Sequence, residues 1–421
     1  MILHEDPITF DAIIQRVSER TGINVSIIEK DYYVSLALQE IGSRQDTIPA
    51  FFKGGTCLYK IYMDMKRFSE DIDLTVKVDH LSNSQAKKML EKAAQDYNCM
   101  KRLKGDPLEE NHKGSITSVF GYAPLYDVDI NDQLQRYGKL KIEATSFTVS
   151  EPYETNTTSS LIYQYATEDE KQILSNKYGI STFDIRNISI ERMFADKILA
   201  AEFYLQRGNF FDVSKHIYDL SVMVKTTRIQ KLLTDESSFI HYLSYKREEE
   251  KLRIGSDLSE KPLKEFKLFT TNLNSISELA STFQQMQRIY VIHDNDKLTY
   301  SDTLRALEYI KNVCIQLSDR ELLSVQAHNK LKSSIIEMEQ IRANFFSMSK
   351  EERDACPIKW QGDSYRISAF EDLYLSKCQE AHIVPDEEIE KHFYEVCVDG
   401  CDYTPVYCKN MSIERNSNDY E

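Results

Sequence analysis

The amino-acid sequence predicts an α+β fold, in which a mixed β-sheet with flanking helices is followed by a mainly helical C-terminal region. Apolar residues recur at helical spacing over residues 1–40. Strand-like runs follow at 50–52, 71–78 and 115–149, bounded by glycine, proline and other turn residues. From about residue 189 the spacing is almost entirely helical. Strands and helices that precede a run of helices alone are typical of the α+β class.

The chain divides by pattern into three predicted domains. Residues 1–165 contain the N-terminal helices and the predicted sheet, and residues 166–346 form a helical domain. Residues 347–421 form a C-terminal extension of mixed pattern, whose role the pattern does not indicate. A chain of 421 residues and 49.0 kDa is long enough to hold two or three structural units.

Composition excludes several classes of protein. No apolar run reaches the ~18 residues of a membrane span, and the first residues lack the pattern of a secretory signal, so we expect a cytoplasmic protein with no membrane partner. The eight cysteines are irregularly spaced and predict reduced thiols. The net charge of −15 argues against broad nucleic-acid binding, because backbone affinity comes mainly from Lys and Arg. A polynucleotide would need a local basic groove.

A glycine pair and two alternating aspartates form the central motif. Asp71 and Asp73 alternate with aliphatic residues, so in a strand they share one face, roughly 6.5–7 Å apart. Carboxylates that close repel each other unless a cation lies between them, and Mg²⁺ shared with phosphates is the usual occupant. Gly54 and Gly55 follow a strand, where backbone N–H groups can approach a phosphate. The combination predicts a metal-dependent nucleotidyl-transfer site, with Mg²⁺ (or Mn²⁺) as cofactor and a nucleoside triphosphate as substrate.

Two-metal chemistry requires a third carboxylate, and two segments compete for it. Glu143 shares its predicted strand face with Lys141. Asp127 and Asp129 also share one face and look much like the first pair. Either segment is equally compatible with a solvated edge of an antiparallel sheet, so the pattern leaves the choice open.

Four further residues are candidates by position. Arg67 and Ser69 lead into the acidic strand and are expected next to the substrate. Lys197 interrupts an apolar helical stripe, which indicates either a side chain that reaches water or one paired with an anion such as a triphosphate. Asp219 lies on the following helix, and its spacing alone favours an exposed salt-bridged face.

An acidic and aromatic run, Glu29-Lys-Asp-Tyr-Tyr33, lies in the second helix. Its pattern favours a charged face beside an aromatic seam. The same run is the first of three motifs that resemble the AbiEii/AbiGii family of nucleotidyltransferase-like toxins. The other two are 52–58 (Phe-Lys-Gly-Gly-Thr-Cys-Leu) and 67–74 (Arg-Phe-Ser-Glu-Asp-Ile-Asp-Leu). The resemblance covers roughly residues 5–225, and the helices to about 315 more loosely.

That family belongs to the DNA-polymerase-β-type nucleotidyltransferase superfamily, so the resemblance implies a nucleotidyltransferase-type sheet. It decides for Glu143 over Asp127 and Asp129, because Lys141-x-Glu143 resembles the family's second motif. The implied catalytic and metal-binding residues are then Asp71, Asp73 and Glu143. The nucleotide-binding residues are expected to be Lys53, Gly54, Gly55, Thr56, Arg67, Ser69, Lys141, Lys197 and Asp219, with the helical domain completing the pocket.

The resemblance also implies a function. It predicts a Mg²⁺-dependent nucleotidyltransferase toxin of a toxin–antitoxin or abortive phage-infection system, with a cognate antitoxin as partner. The acceptor of the nucleotide would be RNA, as a tRNA 3′ end, or a protein, which the −15 charge makes an open alternative. Two other hypotheses are a non-catalytic nucleotide-binding or scaffold protein of a defence system and a phosphotransferase on the same fold.

Overall fold

The structure is a computed structural model, which describes residues 2–62, 65–78, 81–126, 138–355, 357–381 and 383. Contacts group the chain into two compact units, Met1–Leu322 and Leu323–Glu421. Within the described ranges, no helix is long and apolar enough to cross a membrane. The division into the domains 1–165, 166–346 and 347–421 stays a prediction. The sheet continues beyond the first boundary, because one of its strands lies at Phe183–Ile188.

In the first unit, helices precede the strands, alternate with them and follow them along the chain. Its helices are α1 (Pro7–Thr21), α2 (Val25–Arg44), α3 (Gly54–Ile61), α4 (Asn83–Gln95), α5 (Leu161–Gln164), α6 (Glu168–Tyr178), α7 (Ile190–Gln206), α8 (Phe210–Met223), α9 (Thr227–Thr234), α10 (Glu236–Leu252), α11 (Lys267–Thr270), α12 (Ser277–Tyr290) and α13 (Tyr300–Phe346), which continues past residue 322. Its strands are β1 (Ala50–Lys53), β2 (Ile72–Val76), β3 (Lys101–Arg102), β4 (Glu110–His112), β5 (Ser115–Gly121), β6 (Lys139–Thr145), β7 (Tyr153–Thr158) and β8 (Phe183–Ile188).

The two predicted N-terminal helices are confirmed, and local chemistry explains their ends. The Asp6 side chain accepts a hydrogen bond from the Thr9 N–H at the start of α1. Gly22, with φ +72°, ends that helix in the left-handed conformation that glycine adopts without strain. The Asn24 side chain then caps α2 by accepting from the Ser26 N–H. Helices α1 and α2 therefore pack against each other before the chain enters the sheet.

The eight-stranded sheet is mixed, which confirms the predicted fold class. Its order is β3-β5-β6-β2-β1-β8-β7, and β4 pairs with β5. Strands β2 and β6 are parallel, as are β1 and β8, whereas the β1–β2 pair is antiparallel. The two strands that carry the predicted carboxylates, β2 and β6, are therefore direct neighbours in the centre of the sheet.

Two of the strands that the pattern did not predict, β7 and β8, extend the sheet beyond β1. The segment 151–170 is polar, and its residues 153–158 form β7, in which exposed or half-buried side chains alternate. Strand β8 follows at Phe183–Ile188, pairing with β7 on one side and with β1 on the other. Strand β7 lies at the edge of the sheet, and its polar sequence lacks the apolar alternation that identifies a strand.

The second unit has a small core of its own. Among its described residues are α14 (Lys350–Ala355), the antiparallel hairpin β9 (Ile358–Trp360) and β10 (Asp363–Tyr365), and α15 (Ile367–Glu380). Trp360, Phe370 and Tyr374 are buried together there. Arg342 forms a buried ion pair with Glu371. The unit has mixed secondary structure, as predicted for the last seventy residues.

Candidate functional site

Three predicted site residues lie in one row across the sheet. Asp73 is opposite Lys53 in the β1–β2 register and opposite Glu143 in the β2–β6 register. Register partners point to the same face of a sheet, so these three side chains project together. The Lys53 ammonium is held by two hydroxyl groups, Thr145 Oγ1 at 3.1 Å and Thr148 Oγ1 at 3.4 Å.

Helix α3 begins directly beside this row. Gly54, its first residue, has φ +81°, and a Cβ built there would lie 2.1 Å from Asp73 Oδ2. A Cβ on Gly55 would lie 2.9 Å from Ser69 Oγ and 3.0 Å from an Arg67 guanidinium nitrogen. Gly54 is required by its positive φ and its close approach to Asp73, and Gly55 fits closely against Ser69 and Arg67, so the first turn of α3 lies beside the carboxylate row. Such a helix N-terminus favours a bound phosphate.

The Asp73 carboxyl is destabilised as an anion. Burial, followed by the negative charges of Glu143 and Asp71, raises its pKa to about 7, and Lys141 and Lys53 only partly oppose this. Like charges that share a site commonly force one carboxyl to keep its proton. A cation bound at Asp73 would relieve the same repulsion.

Lys141 supplies a positive charge among the carboxylates. Its ammonium lies 3.3 Å from Asp71 Oδ2 and 4.0 Å from Glu143 Oε2. Across the described ranges, no three His, Cys, Asp or Glu side chains stand as a ready metal-binding group. The donor chemistry of Asp71, Asp73 and Glu143 nevertheless fits a hard divalent cation, because all three offer carboxylate oxygens and Asp73 is poorly neutralised.

A second charge cluster joins the sheet to the helices. Arg67 donates to both Asp219 oxygens, at 2.9 and 2.8 Å, and Lys197 Nζ lies 2.8 Å from Asp219 Oδ2. Burial alone would raise the pKa of the Asp219 carboxyl, but Arg67 and Lys197 hold it well below its ordinary value. Two cations against one anion leave a net positive charge at this wall, which suits a phosphate.

Asp219 and Thr56 occupy supporting positions instead of the expected contact positions. Both are 0% exposed. Asp219 orients Arg67 and Lys197 from behind, and the Thr56 hydroxyl donates to the backbone carbonyl of Asp71. The expectation that Asp219 has an exposed salt-bridged face, drawn from spacing alone, is wrong, because its partners come from a distant loop and from the preceding helix.

A cavity of about 510 Å³ unites these groups. Its lining contains seven basic and seven acidic side chains, in a chain whose net charge is −15, so the cavity is locally balanced. The basic residues are Lys53, Arg67, Lys141, Lys197, Lys215, Lys246 and Arg253, and the acidic residues are Glu70, Asp71, Asp73, Glu143, Asp196, Asp212 and Glu249.

Sequence reasoning missed one wall of the cavity, which α10 and the segment after it contribute. Lys246 lies 3.0 Å from Glu249, and Arg253 continues the same wall. The spacing of Lys246 and Glu249 is that of an ordinary solvated helical pair, so no local signal marked them. Tyr204 and His216, stacked with ring centroids 5.4 Å apart, add an aromatic surface that the pattern did not indicate either.

The interpretation of the run 29–33 as a charged face is also wrong. Glu29, Lys30 and Asp31 are at most 2% exposed. Lys30 pairs with Glu70 at 3.3 Å, and Asp31 pairs with Lys60 at 2.8 Å. Their partners lie 40 and 29 residues away, which is why the run looked unpaired. Asp127 and Asp129, the rejected alternative for the third carboxylate, lie outside the described residues.

Comparison with known proteins identifies the family. A family model described as "Nucleotidyl transferase AbiEii toxin, Type IV TA system" matches residues 36–298. The chain belongs to this family. The AbiEii match includes the glycine pair, the acidic strand and the helices of the Arg67–Asp219–Lys197 cluster, and it confirms the resemblance seen in the motifs.

A solved structure is also similar to the chain. MenT4, a nucleotidyltransferase toxin from Mycobacterium tuberculosis H37Rv, is 13% identical over 71% of this chain and 98% of its own, with a TM-score of 0.37. No curated protein matches the chain.

Proposed function

We propose that this AbiEii-family chain is a Mg²⁺-dependent nucleotidyltransferase toxin that transfers a nucleoside monophosphate from a nucleoside triphosphate to an acceptor hydroxyl. The acceptor oxygen would bond to the α-phosphorus, and the bond from that phosphorus to pyrophosphate would break. The observation that carries the proposal is the row of Lys53, Asp73 and Glu143 beside the N-terminus of α3.

The acidic half of the cavity supports the choice of metal. Asp71, Asp73 and Glu143 would together hold Mg²⁺ (or Mn²⁺). The Lys141 ammonium, which lies between Asp71 and Glu143, would move away when the cation binds. The cation would supply charge neutralisation at the triphosphate. Glu143, whose side chain is 37% exposed against 26% for Asp71, would accept the proton of the acceptor hydroxyl.

The basic half supports the choice of a triphosphate. The α3 N-terminus at Gly54 and Gly55, with Ser69, would bind phosphate oxygens through N–H and hydroxyl donors. Arg67 and Lys197, oriented by the buried Asp219, would neutralise the pyrophosphate that leaves. Preorganised charges of this kind need no rearrangement during the reaction.

The acceptor is proposed to be an RNA 3′ end or a protein hydroxyl. The cavity is locally balanced in charge within a chain of net charge −15, so an anionic acceptor end could enter it without general attraction to nucleic acid. We further propose a cognate antitoxin, as the family description of a type IV toxin–antitoxin system suggests. Co-expression with the product of the adjacent gene, scored by cell growth, tests that partner.

Each labelled nucleoside triphosphate, incubated with the protein, Mg²⁺ and either total RNA or total cell protein, tests the proposed reaction. We expect transfer of the α-³²P label into one of the two pools, together with release of pyrophosphate. Asp71→Ala and Asp73→Ala should abolish both transfer and growth inhibition, because each removes a carboxylate from the acidic row. Asp46→Asn is a matched control, since that carboxylate is 86% exposed and its ion pair, with Arg186, lies outside the cavity.

The same assay separates the other two hypotheses. Transfer of a γ-label instead of an α-label would indicate a phosphotransferase. Calorimetric binding of a nucleotide without transfer to either pool would indicate a non-catalytic nucleotide-binding protein. Growth inhibition that survives in Asp71→Ala and Asp73→Ala would refute the enzymatic proposal.

A further inference from the structure

Lys30 is a buried cation outside the cavity that none of the proposed steps uses. It lies on α2, and its side chain is 2% exposed. Its ammonium is 3.3 Å from Glu70 Oε2, donates to the backbone carbonyl of Lys139, and lies 5.6 Å from the ring centroid of Tyr122. An ammonium buried this deeply persists only when its partners satisfy its charge and its three donors.

Two polar partners of Lys30, Glu70 and the backbone of Lys139, belong to segments that carry site carboxylates. Glu70 immediately precedes Asp71 and the strand of Asp73, and it is itself buried. Lys139 is the first residue of β6, four residues before Glu143. Since β2 and β6 are parallel, Lys30 contacts both elements at the ends where they enter the site.

We propose that Lys30 is a positioning residue that, with Glu70, clamps the two carboxylate-bearing strands together at their N-terminal ends. The inference rests on the proposed function for its catalytic consequence. The β2–β6 register sets Asp73 opposite Glu143, and Asp71 lies one residue before β2, with the Lys141 ammonium 3.3 Å from its carboxylate. The Lys30–Glu70 pair holds the residue next to Asp71, and it thereby limits where that carboxylate can point.

The neighbours of Lys30 on α2 act on adjacent elements in the same way. Asp31 accepts from Lys60 Nζ, which is on α3, and Glu29 accepts from the backbone N–H of Leu125 at 2.6 Å. Three consecutive charged residues of α2 therefore hold Lys60 on α3, Glu70 and the backbone of Leu125. A helix devoted only to core packing would not bury three charges in sequence.

Two variants test the clamp. Glu70→Gln keeps the volume of the side chain and removes its charge, and Lys30→Met removes the ammonium. With Mg²⁺, a nucleoside triphosphate and the acceptor pool that takes the label (total RNA or total cell protein), pyrophosphate release gives kcat and KM for the wild-type chain and each variant. We expect each variant to lose about 10²-fold in kcat, because small displacements of reacting groups have effects of that size, with KM for the nucleotide changed less than threefold. The double variant should be no slower than either single variant, since the pair acts as one unit.

Glu321→Gln is the matched control. Glu321 is also 0% exposed and also forms a buried ion pair, with Arg247 at 2.8 Å, but it lines no part of the cavity. We expect this variant to change kcat less than threefold at a temperature below its unfolding midpoint. Equal loss of kcat in Glu321→Gln and Glu70→Gln, or a loss in Glu70→Gln that falls in KM alone, would overturn the clamp.

Hydrogen exchange tests the Lys30–Glu70 clamp without any measurement of catalytic activity. In Glu70→Gln, backbone amides of 67–73 and 139–145 should exchange about tenfold faster than in the wild-type chain, while Glu321→Gln leaves them unchanged. If exchange in those segments does not rise in Glu70→Gln, the clamp is refuted. A wild-type chain that releases no pyrophosphate would refute the proposed function instead, and the exchange result would still decide the clamp. If Lys30→Met fails to fold, Glu70→Gln carries both measurements.

Discussion

Replacing Asp73 by asparagine should stabilise the protein while it removes activity. The Asp73 carboxyl has a pKa of about 7 in the folded chain against an ordinary 3.8, because burial, Glu143 and Asp71 all disfavour its charge. Asparagine has nearly the same shape and carries no charge. The Asp73→Asn variant therefore loses the repulsion without creating a cavity, whereas the proposed reaction needs the carboxylate.

The size of the effect follows from linkage. The difference between about 7 and 3.8 corresponds to about 4 kcal/mol at about 1.4 kcal/mol for each pH unit. Asp73 keeps part of its surface open to the cavity, so water screens the repulsion, and we expect about 2–4 kcal/mol. Below about pH 4 the carboxyl is protonated in both folded and unfolded chains, and the wild-type protein and the variant should be equally stable. Between about pH 4 and 7 the Asp73 carboxyl is ionised in the unfolded chain and still protonated in the folded chain. The wild-type protein therefore loses stability relative to the variant as the pH rises through this range.

Urea unfolding at several pH values between 4 and 8, with a chelator present, measures this difference. The free energy of unfolding of Asp73→Asn should exceed that of the wild-type protein by an amount that grows from near zero at pH 4 to its full value at pH 8. With Mg²⁺ at ten times its Kd, the wild-type protein should gain about 1.4 kcal/mol and the variant much less. A variant that is less stable at pH 8, or a difference that does not depend on pH, would refute the reasoning.

Two further substitutions probe the supports of the site. Gly54→Ala should reduce activity at least 10²-fold, because its Cβ would meet Asp73 Oδ2 at 2.1 Å. Gly105→Ala, at a similar φ of +82° but with nothing within 4 Å, should cost about 1 kcal/mol in urea unfolding and retain activity. Asp219→Asn should lower the free energy of unfolding at pH 7 by about 3–5 kcal/mol, since Arg67 and Lys197 would lose their buried anion. That loss should disappear as the pH falls well below 4, where the wild-type Asp219 also becomes protonated; a loss that persists there would contradict its electrostatic origin.

Local patterns were sufficient to predict the elements that carry the acidic residues. Alternation of Asp71 and Asp73 with aliphatic residues predicted β2, and the glycine pair predicted the turn into α3. Helical spacing predicted α1, α2 and the helices after residue 189. These features depend on neighbours within a few residues, where side-chain periodicity is a direct consequence of backbone geometry.

Contacts between residues that are distant in sequence could not be predicted from these local patterns. The opposition of Asp73 and Glu143 depends on a register between strands 70 residues apart, and only the family resemblance selected Glu143 from its alternatives. Lys30 and Asp31 looked like surface charges because Glu70 and Lys60 are remote in sequence. Charged residues at helical spacing are exposed in most proteins, so their burial here is a property of the tertiary structure alone.

The distribution of charge explains how an unfavourable acidic row persists in the folded chain. Asp71, Asp73 and Glu143 repel one another, and the raised pKa of Asp73 shows that the fold bears part of that repulsion. The buried pairs Lys30–Glu70 and Arg67–Asp219 contact the same loop, 67–71, from two sides. Replacing either acid would leave a buried cation, so the loop cannot relax away from the carboxylates at low cost. The supporting pairs therefore keep the repelling carboxylates close together, and the proposed cation would gain affinity there by relieving that repulsion.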